Sequence, residues 1–556
     1  MPVEDDGADS SGLYRHRKGR QANIRAHQLL YPTVTTVSIF FILSMWERRG
    51  ALDPNRLFNF FQVMAVVFFA AVLFRLLLRP ELEDLHEAER SKVVPLRRGL
   101  SFAIAAGAIS YLRTLPLYFL CDDYAHLDLV RHPFSVAVWP EFTRGQDGVF
   151  YRPLAFVSLF LDYRLWHNWV PGYHLTSVLM HLVSIAGVFC LCSQLALKRR
   201  ICVAAAVFFA VWPVNVQTVT WTAARFDQLA AAFGIWSVVY AAQFRRTKKS
   251  RCYWNAIVLF VLAVLSKENA YVIPVLWLSL EILPQRGKVE GNSLKNRAAI
   301  VGGYLAAPAL MLLLRLSLLR GIGGYSSDNA PMALHFPFAS VFGLLVRAPG
   351  ETLFGWNWLA MGKQPWIMAS VLTAAVFLML ALRPKMSASS RPMIIFSLIW
   401  VFTSAAPAHF YFWSPDPGLF VSRTLYFGAM GIAILIAILL DETVSSPRIY
   451  QGWAVALAVL LFVGTELNIS AWHFAAHESK EWLAALKREQ PLPPPNVTYY
   501  IIGVPDQNQG VPFFAAGLES AVRRNYSWRG DIHVVTDKSP MIPENAIAIN
   551  YDGSRQ

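Results

Sequence analysis

The dominant pattern of this chain is a succession of apolar runs separated by short polar segments. About 20 consecutive apolar residues span the hydrocarbon core of a bilayer, so runs of this kind predict membrane helices. Thirteen runs can be marked: residues 31–47, 57–79, 99–120, 173–196, 201–214, 228–244, 253–266, 270–284, 298–316, 366–382, 393–408, 424–440 and 451–468. The pattern predicts an all-α polytopic membrane protein with about 13 transmembrane helices.

The end of the chain has a different pattern. Pro491-Leu492-Pro493-Pro494-Pro495 is a stiff break, and the β-branched and aromatic stretch Val497–Val504 that follows predicts a strand. Phe513–Arg524 reads as a short helix and Ile532–Val535 as a second strand. We therefore predict a small α/β lobe after the last membrane helix.

These patterns divide the chain into four regions. The predicted regions are 1–98, a cytoplasmic arm plus two extra transmembrane helices; 99–316, a dense transmembrane block with an outer loop at 121–172; 317–468, a second outer loop and four helices; and 469–556, the extracytoplasmic α/β lobe. The aromatic-rich outer loop 121–172 carries the apolar stretch Leu154–Leu165, which predicts one or two helices lying along the membrane surface.

Composition and charge fix the class and the orientation. The chain is 55% hydrophobic and only 15% charged, which is typical of membrane proteins. With the N-terminus inside, the cytoplasmic segments carry half of the 50 Lys and Arg residues and the outer loops between helices carry about a quarter. This asymmetry places the lobe outside. The basic arm around Arg15–Arg20 is expected to meet anionic headgroups, and no nucleic-acid partner is predicted.

The polar clusters within this pattern all fall at the outer ends of the runs. They are Asp122 and Asp123, Tyr151-Arg152-Pro153, Tyr173-His174, Arg225-Phe226-Asp227, Ser266-Lys267-Glu268, and Arg423 with Tyr426. Scattered structural ion pairs would fall on both faces, so this convergence favours one outward-facing polar site.

Asp122 and Asp123 follow an apolar run directly, where acids near hydrocarbon are unfavourable. The plain interpretation is a helix end that meets water. The functional interpretations are a general base for an acceptor hydroxyl and a ligand for a divalent cation, and both stay open at this point. No cofactor is assigned beyond that divalent cation, and the five cysteines show neither a zinc spacing nor a predicted disulfide.

The cations of these clusters suit a phosphate-bearing lipid, which arginine binds through two parallel hydrogen bonds. Arg152, Arg225, Lys267 and Arg423 are the candidates. For three of these four, a plain alternative remains: Arg152 in a surface ion pair, a mutual Lys267–Glu268 pair, and pairing of Arg225 with Asp227. His174 and His181 lie seven residues apart on one helical face, where a buried core role is the plain alternative, and His174 is the better site candidate.

In this order the clusters resemble the polyprenyl-phosphate-sugar-dependent glycosyltransferases of the GT-C fold. Within that group, they resemble the transmembrane-and-TPR protein O-mannosyltransferases and their bacterial relatives. The matching segments are Asp122-Asp123-Tyr124, Tyr151-Arg152-Pro153-Leu154, Tyr173-His174-Leu175 with His181, Trp212-Pro213-Val214-Asn215-Val216-Gln217, Ala224-Arg225-Phe226-Asp227-Gln228-Leu229, Ser266-Lys267-Glu268, and Arg423-Thr424-Leu425-Tyr426. They span roughly residues 99–440. The family's His-Pro and acidic residue are Trp212-Pro213 and Gln217 here, and no TPR array follows.

The resemblance implies an enzyme that transfers a sugar, with inversion, from a polyprenyl-phosphate donor to a hydroxyl of a protein, lipid or glycan acceptor on the outer face. It implies that Asp122 or Asp123 is the base, and that Arg152, Arg225, Lys267 and Arg423 bind the donor phosphate, with His174, Glu268 and Tyr426 lining the substrate site. Because no TPR array follows, we expect the protein to lie in a bacterial inner membrane. One rival class is a transporter or lipid flippase, which predicts charged residues near the membrane midplane and an inverted repeat. Another is a non-catalytic scaffold, which would not need the acidic pair beside cations.

Overall fold

A computed structural model describes residues 93–145, 149–282, 294–321, 323–324, 326–327, 330–331, 348–353, 355–357, 387, 390–411, 422–536 and 546–551. The predicted helices at 31–47, 57–79 and 366–382 lie outside the described residues, as do the basic arm and most of the second outer loop.

The described part is mostly helical. Its helices are α1 Val93–Tyr111, α2 Asp122–Val130, α3 Phe134–Ala137, α4 Trp139–Thr143, α5 Pro153–Trp166, α6 Val170–Gln194, α7 Arg199–Ala210, α8 Val216–Thr220, α9 Arg225–Thr247, α10 Ser250–Ser266, α11 Ile273–Ile282, α12 Leu294–Leu319, α13 Ala348–Leu353, α14 Arg391–Tyr411, α15 Tyr426–Thr443, α16 Pro447–Glu489 and α17 Leu518–Asn525. The described strands are β1 Ser326–Ser327, β2 Ala330–Pro331, β3 Thr498–Ile502, β4 Gln507–Asn508, β5 Val511–Pro512, β6 His533–Thr536 and β7 Ile547–Asn550.

The chain is an integral membrane protein by the length and apolarity of its helices. Within the described residues, four helices are long and apolar enough to cross a membrane: Val170–Gln194, Ala298–Leu319, Ser422–Thr443 and Pro447–Glu489. The pair Arg199–Ala210 and Pro213–Thr220 makes a fifth, with a bend of 46°, if it is counted as one span. Two shorter apolar helices are present as well, so a total of 13 spans stays a prediction.

Two helices end at different residues from the apolar runs that predicted them. The first described run continues to Leu120, but α1 ends at Tyr111 and is followed by a 3₁₀ turn at Leu112–Thr114. At the other end, α16 continues beyond the apolar residues to Glu489, so the expected lobe boundary at 469 falls inside this helix. Hydropathy reports apolar burial only, whereas helix length is set by backbone hydrogen bonding and by packing.

Helices α6, α7 and α9 form the packed centre of the bundle. Every residue of α7 from Ile201 to Ala210 is buried. Gly187 of α6 brings two helices together, because a Cβ at that position would lie 2.8 Å from side-chain carbons of Ile235 in α9. This close approach aligns the ends of α6 and α9, where several candidate site residues lie.

The outer loop folds into short helices. The predicted surface stretch Leu154–Leu165 lies within α5, which begins at Pro153 because proline suits the first helical turn. Phe156 and Leu159 of α5 are buried, whereas Leu161 and Leu165 are exposed. One face of α5 therefore packs on the bundle and the other stays apolar at the surface, as in a helix at a membrane interface.

The residues after α16 form a small sheet with one helix. Strands β6, β3 and β7 pair in that order and all run parallel, with Tyr500 opposite both Val535 and Ala548. Helix α17 starts at Leu518 and not at Phe513, because Gly517 at its N-cap adopts a left-handed φ of +77°. This α/β lobe, residues 498–550, packs through α17 against α2.

Candidate active site

The start of α9, the end of α10 and the turn before α15 bring together the first group of predicted site residues. Asp227 lies in the first turn of α9, and Lys267 follows the last residue of α10 in extended conformation. The Lys267 Nζ lies 2.6 Å from Asp227 Oδ2, and Arg423 Nε lies 3.7 Å from the same oxygen. Burial lowers the pKa of Lys267, although Asp227 opposes that shift.

A second ion pair lies within electrostatic range of the first. Arg152, at the N-cap of α5, donates from Nε to Glu268 Oε2 at 2.9 Å and makes a second, parallel bond to Oε1. Arg315 lies 3.9 Å from Glu268. Although burial acts to raise the pKa of Glu268, Arg152, Lys267 and Arg315 together lower it to about 2. Lys267 and Glu268 thus pair with different partners and not with each other.

Arg423 is held by the segment that departs from the family pattern. It lies in a 3₁₀ turn, Ser422–Leu425, and its backbone N–H donates to Gln217 Oε1 at 2.7 Å. Its guanidinium carbon lies 5.1 Å from the centre of the Trp221 ring, a cation–π distance. Gln217 therefore acts as a backbone anchor for the turn that carries Arg423.

A cleft lies next to Asp227 and Arg423, and its empty space of about 370 Å³ includes open solvent. The rest of its lining is mainly apolar and includes Ala231, Ile273 and Phe427. A cleft lined by both charged and apolar side chains suits a ligand that has both kinds of surface.

Arg225, by contrast, belongs to the core of the protein. It is fully buried, and Nη1 lies 2.6 Å from Asp162 Oδ2 while Nη2 donates to Tyr173 O and Ser177 Oγ, each at 3.1 Å. The sequence alternative that paired Arg225 with Asp227 is wrong, because each has another partner. The structure places Arg225 as a packing ion pair between α9, α5 and α6, away from the cleft.

His174, His181 and Tyr426 are also internal. His174 Nε2 lies 3.2 Å from Leu117 O, and His181 Nδ1 lies 2.7 Å from the Tyr426 hydroxyl. All three residues are almost completely buried. Their contacts fit the plain alternative, in which these side chains tie helices together.

The two adjacent aspartates have different surroundings. Asp123 is 2% exposed, and its carboxylate accepts the backbone N–H of Leu120 at 3.1 Å and of Ala223 at 2.7 Å. Burial raises the pKa of Asp123 to about 8, although the two N–H donors oppose this shift. Asp122 is only partly buried, and within the described residues no cation lies within ion-pair distance of it. Of the pair, Asp122 has the more exposed side chain.

His126 was missed by the sequence analysis. It lies one helical turn after Asp122 on α2, and its ring centre lies 5.7 Å from that of Phe156 and 5.3 Å from that of Phe226. Burial lowers the pKa of His126; the charge of Asp122 opposes that shift and the charge of Arg152 adds to it. Its spacing of four residues from Asp122 was the available signal.

The divalent-cation alternative has little support in the arrangement of these carboxylates. Both oxygens of Asp123 already accept backbone N–H groups. In the part of the chain that the structure describes, no three His, Cys, Asp or Glu side chains converge in a way that could hold a metal ion. The acidic pair as folded does not form a shared two-carboxylate ligand set.

The buried Arg225–Asp162 pair predicts a large stability effect. Arg225→Met should lower the free energy of unfolding by about 3–5 kcal/mol, because it leaves the Asp162 charge buried without its partner. Lys198→Met is the matched control, since the Lys198 side chain is 64% exposed and Arg200 still pairs with Asp441. Thermal unfolding in detergent measures both. Equal midpoints for the two variants would contradict the core role of Arg225.

Substitution of the two aspartates should affect the stability of the protein to different degrees. Asp123→Asn should destabilise the protein by about 1–3 kcal/mol, because an amide NH₂ replaces one of two oxygens that accept buried N–H groups. Asp122→Asn should leave the unfolding midpoint within about 1 °C of wild type, as expected for a partly exposed side chain. Thermal unfolding of both variants side by side checks this. A loss in Asp122→Asn as large as in Asp123→Asn would reverse the assignment.

Comparison with known proteins gives sequence relatives of one kind. The chain is 27% identical over 328 residues to protein O-mannosyl-transferase Tmtc1 of Drosophila melanogaster, which covers 50% of this chain and 37% of that protein. It is 28% identical over 185 residues to protein O-mannosyl-transferase TMTC3 of Mus musculus, covering 30% and 19%. No protein-family model matches. The resemblance predicted from the motifs is confirmed, and the match spans little more than a third of the longest-matching relative.

Similar solved structures are membrane glycosyltransferases. The archaeal oligosaccharyltransferase AglB of Archaeoglobus fulgidus, solved with an inhibitory peptide and a dolichol-phosphate, is 12% identical with a TM-score of 0.44 and covers 80% of this chain and 64% of that one. ArnT of Cupriavidus metallidurans, bound to undecaprenyl phosphate, is 12% identical with a TM-score of 0.38 and covers 79% and 89%.

Proposed function

We propose that this chain, similar in sequence to protein O-mannosyl-transferases, is a membrane glycosyltransferase that moves a sugar from a polyprenyl-phosphate donor to an acceptor hydroxyl. The observation that carries the proposal is the cluster of Arg152, Arg315, Lys267, Arg423, Glu268 and Asp227 beside the apolar cleft. These six side chains comprise four cations and two carboxylates. A ligand that brings negative charge and an apolar chain complements both the cluster and the cleft.

A lipid phosphate is that ligand. Lys267 and Arg423 both lie within ion-pair distance of Asp227, so two cations are held close together. Because the surroundings are largely buried, the attraction between these cations and a phosphate is screened less than it would be in water. The apolar lining from α9, α11 and α15 would accept the first units of a polyprenyl chain.

Asp122 is the proposed base. Its carboxylate takes the proton of the acceptor hydroxyl while the hydroxyl oxygen forms a bond to the anomeric carbon. The bond from that carbon to the phosphate oxygen breaks on the opposite side, and its electron pair leaves with the polyprenyl phosphate. Configuration at the anomeric carbon is inverted. The cations stabilise the charge that develops on the leaving phosphate, usually a major contribution to lowering such a barrier.

Asp123, Glu268 and Asp227 have supporting parts in this proposal. Asp123 fixes the turn that carries Asp122, whereas Glu268 and Asp227 orient the cations. The names of the relatives make mannose the first sugar to test and a protein hydroxyl the first acceptor. The distribution of Lys and Arg along the chain supports the extracytoplasmic face as the location of the reaction and of the lobe.

The base assignment is tested by transfer from a polyprenyl-phosphate-mannose donor with purified protein in detergent. Asp122→Asn should lower the rate of mannose transfer by about 10²–10⁴-fold, because the variant has no group to accept the proton. Glu481→Gln, an exposed acid on α16, is the matched control and should keep the wild-type rate. Wild-type transfer by Asp122→Asn would refute the base. Lipid scrambling by the wild-type protein without any transfer would favour the flippase class.

The phosphate assignment is tested by product inhibition with a short-chain polyprenyl phosphate. Arg423→Gln should raise the inhibition constant by about 10-fold or more, since it removes a charge that faces the phosphate. Arg246→Gln is the control, because Arg246 lies in the last turn of α9 at the opposite end of that helix. An unchanged inhibition constant in Arg423→Gln would remove this arginine from the phosphate site.

A further inference from the structure

The residue before the acidic pair has an unusual backbone. Cys121 is the N-cap of α2 and has a φ of +50° with a ψ of −124°. Residues with a β-carbon rarely adopt positive φ, and such strained positions persist only where the surroundings hold them. The direction in which Asp122 leaves the backbone depends on this one residue.

The α/β lobe supplies the contacts that hold Cys121. The Cys121 N–H donates to Phe513 O at 2.8 Å. Gly517 lies so close that a Cβ on it would be 2.5 Å from Cys121 O and 3.3 Å from Ala125 N. Phe513 and Gly517, both in the loop 513–517, therefore contact the backbone of one residue of the transmembrane block.

The same lobe fixes the next two turns of α2. Tyr124 stacks on Phe514, and its hydroxyl lies 3.2 Å from Ser479 Oγ of α16. One turn later, Asp128 accepts the Ser520 hydroxyl at 3.2 Å and lies 3.7 Å from Arg523. The helix that carries Asp122 is thus held along its length by residues more than 350 positions away in the chain.

The geometry points to a positioning role for the lobe: residues 513–523 hold Cys121 in its strained conformation and so aim the Asp122 carboxylate at the acceptor. This inference rests on the proposed function, and it assigns the lobe to the chemical step. Contact between Asp122 and the lobe is indirect, so Gly517 and Ser520 are positioning residues and not catalytic ones. Misplacing a catalytic group by about 1 Å can slow a reaction about 10²-fold.

Gly517→Ala tests the inference against a matched variant, Gly503→Ala. Both glycines have left-handed backbones, with φ of +77° and +81°, so both substitutions bring similar local strain. A Cβ at Gly503 would meet only Tyr551 O at 3.8 Å, whereas one at Gly517 would collide with Cys121 O. Gly517→Ala should lower kcat for mannose transfer at least 10-fold with the donor KM within about twofold, whereas Gly503→Ala should keep both values.

Equal kcat values for the two glycine variants would overturn the inference. If Gly517→Ala does not fold, Ser520→Ala decides, since it removes only the hydroxyl that donates to Asp128; an unchanged kcat there would also overturn it. Hydrogen exchange keeps the test independent of the proposed function. Even if the wild type transfers no sugar, amides of 121–128 should exchange faster in Gly517→Ala than in Gly503→Ala, and equal exchange would overturn the inference.

Discussion

The candidate site depends on one constraint: charged side chains at the edge of hydrocarbon are stable there only when other charges or hydrogen bonds compensate them. Arg152 with Glu268, and Lys267 with Asp227 and Arg423, meet that constraint by linking segments far apart in the chain. The ends of α5, α9 and α10 and the turn before α15 are thereby fixed relative to one another. Buried pairs of this kind contribute little net stability, and their main effect is on geometry. They set where a phosphate would be bound.

Contacts with the bundle and with the lobe also fix the turn that carries Asp122 and Asp123. Asp123 is tied to the bundle through the backbone of Ala223, and Cys121 is tied to the lobe through the backbone of Phe513. Asp122 lies between these two anchored residues and keeps a partly exposed carboxylate. The two adjacent acids therefore have different surroundings: Asp123 is buried and hydrogen-bonded, whereas Asp122 is partly exposed. The sequence alone does not show which of the two aspartates is buried.

From the sequence, the positions of the helices were predicted better than the residues at which they end. The ion-pair partners of the candidate site residues were not predicted. The run 173–196 became α6 at Val170–Gln194, because an apolar stripe of that length has few alternatives in a membrane. Residues 513–517 were expected to be helical and are not, since Gly517 and its contact with Cys121 stop the helix. Arg225 and Arg423 were both candidates for the donor phosphate in the sequence. Only the contacts of Arg225 with Asp162 and Tyr173 separate the two.

By itself, the sequence determined that this is a polytopic membrane protein and that its polar clusters resemble those of the O-mannosyltransferases. Those properties follow from composition, from the distribution of Lys and Arg, and from local motifs, which need no knowledge of distant neighbours. Tertiary structure decided which ion pairs form, which aspartate is accessible, and that the lobe holds the turn before Asp122. Each of these is a contact between residues far apart in the chain, and burial and charge partner are set only when such residues meet.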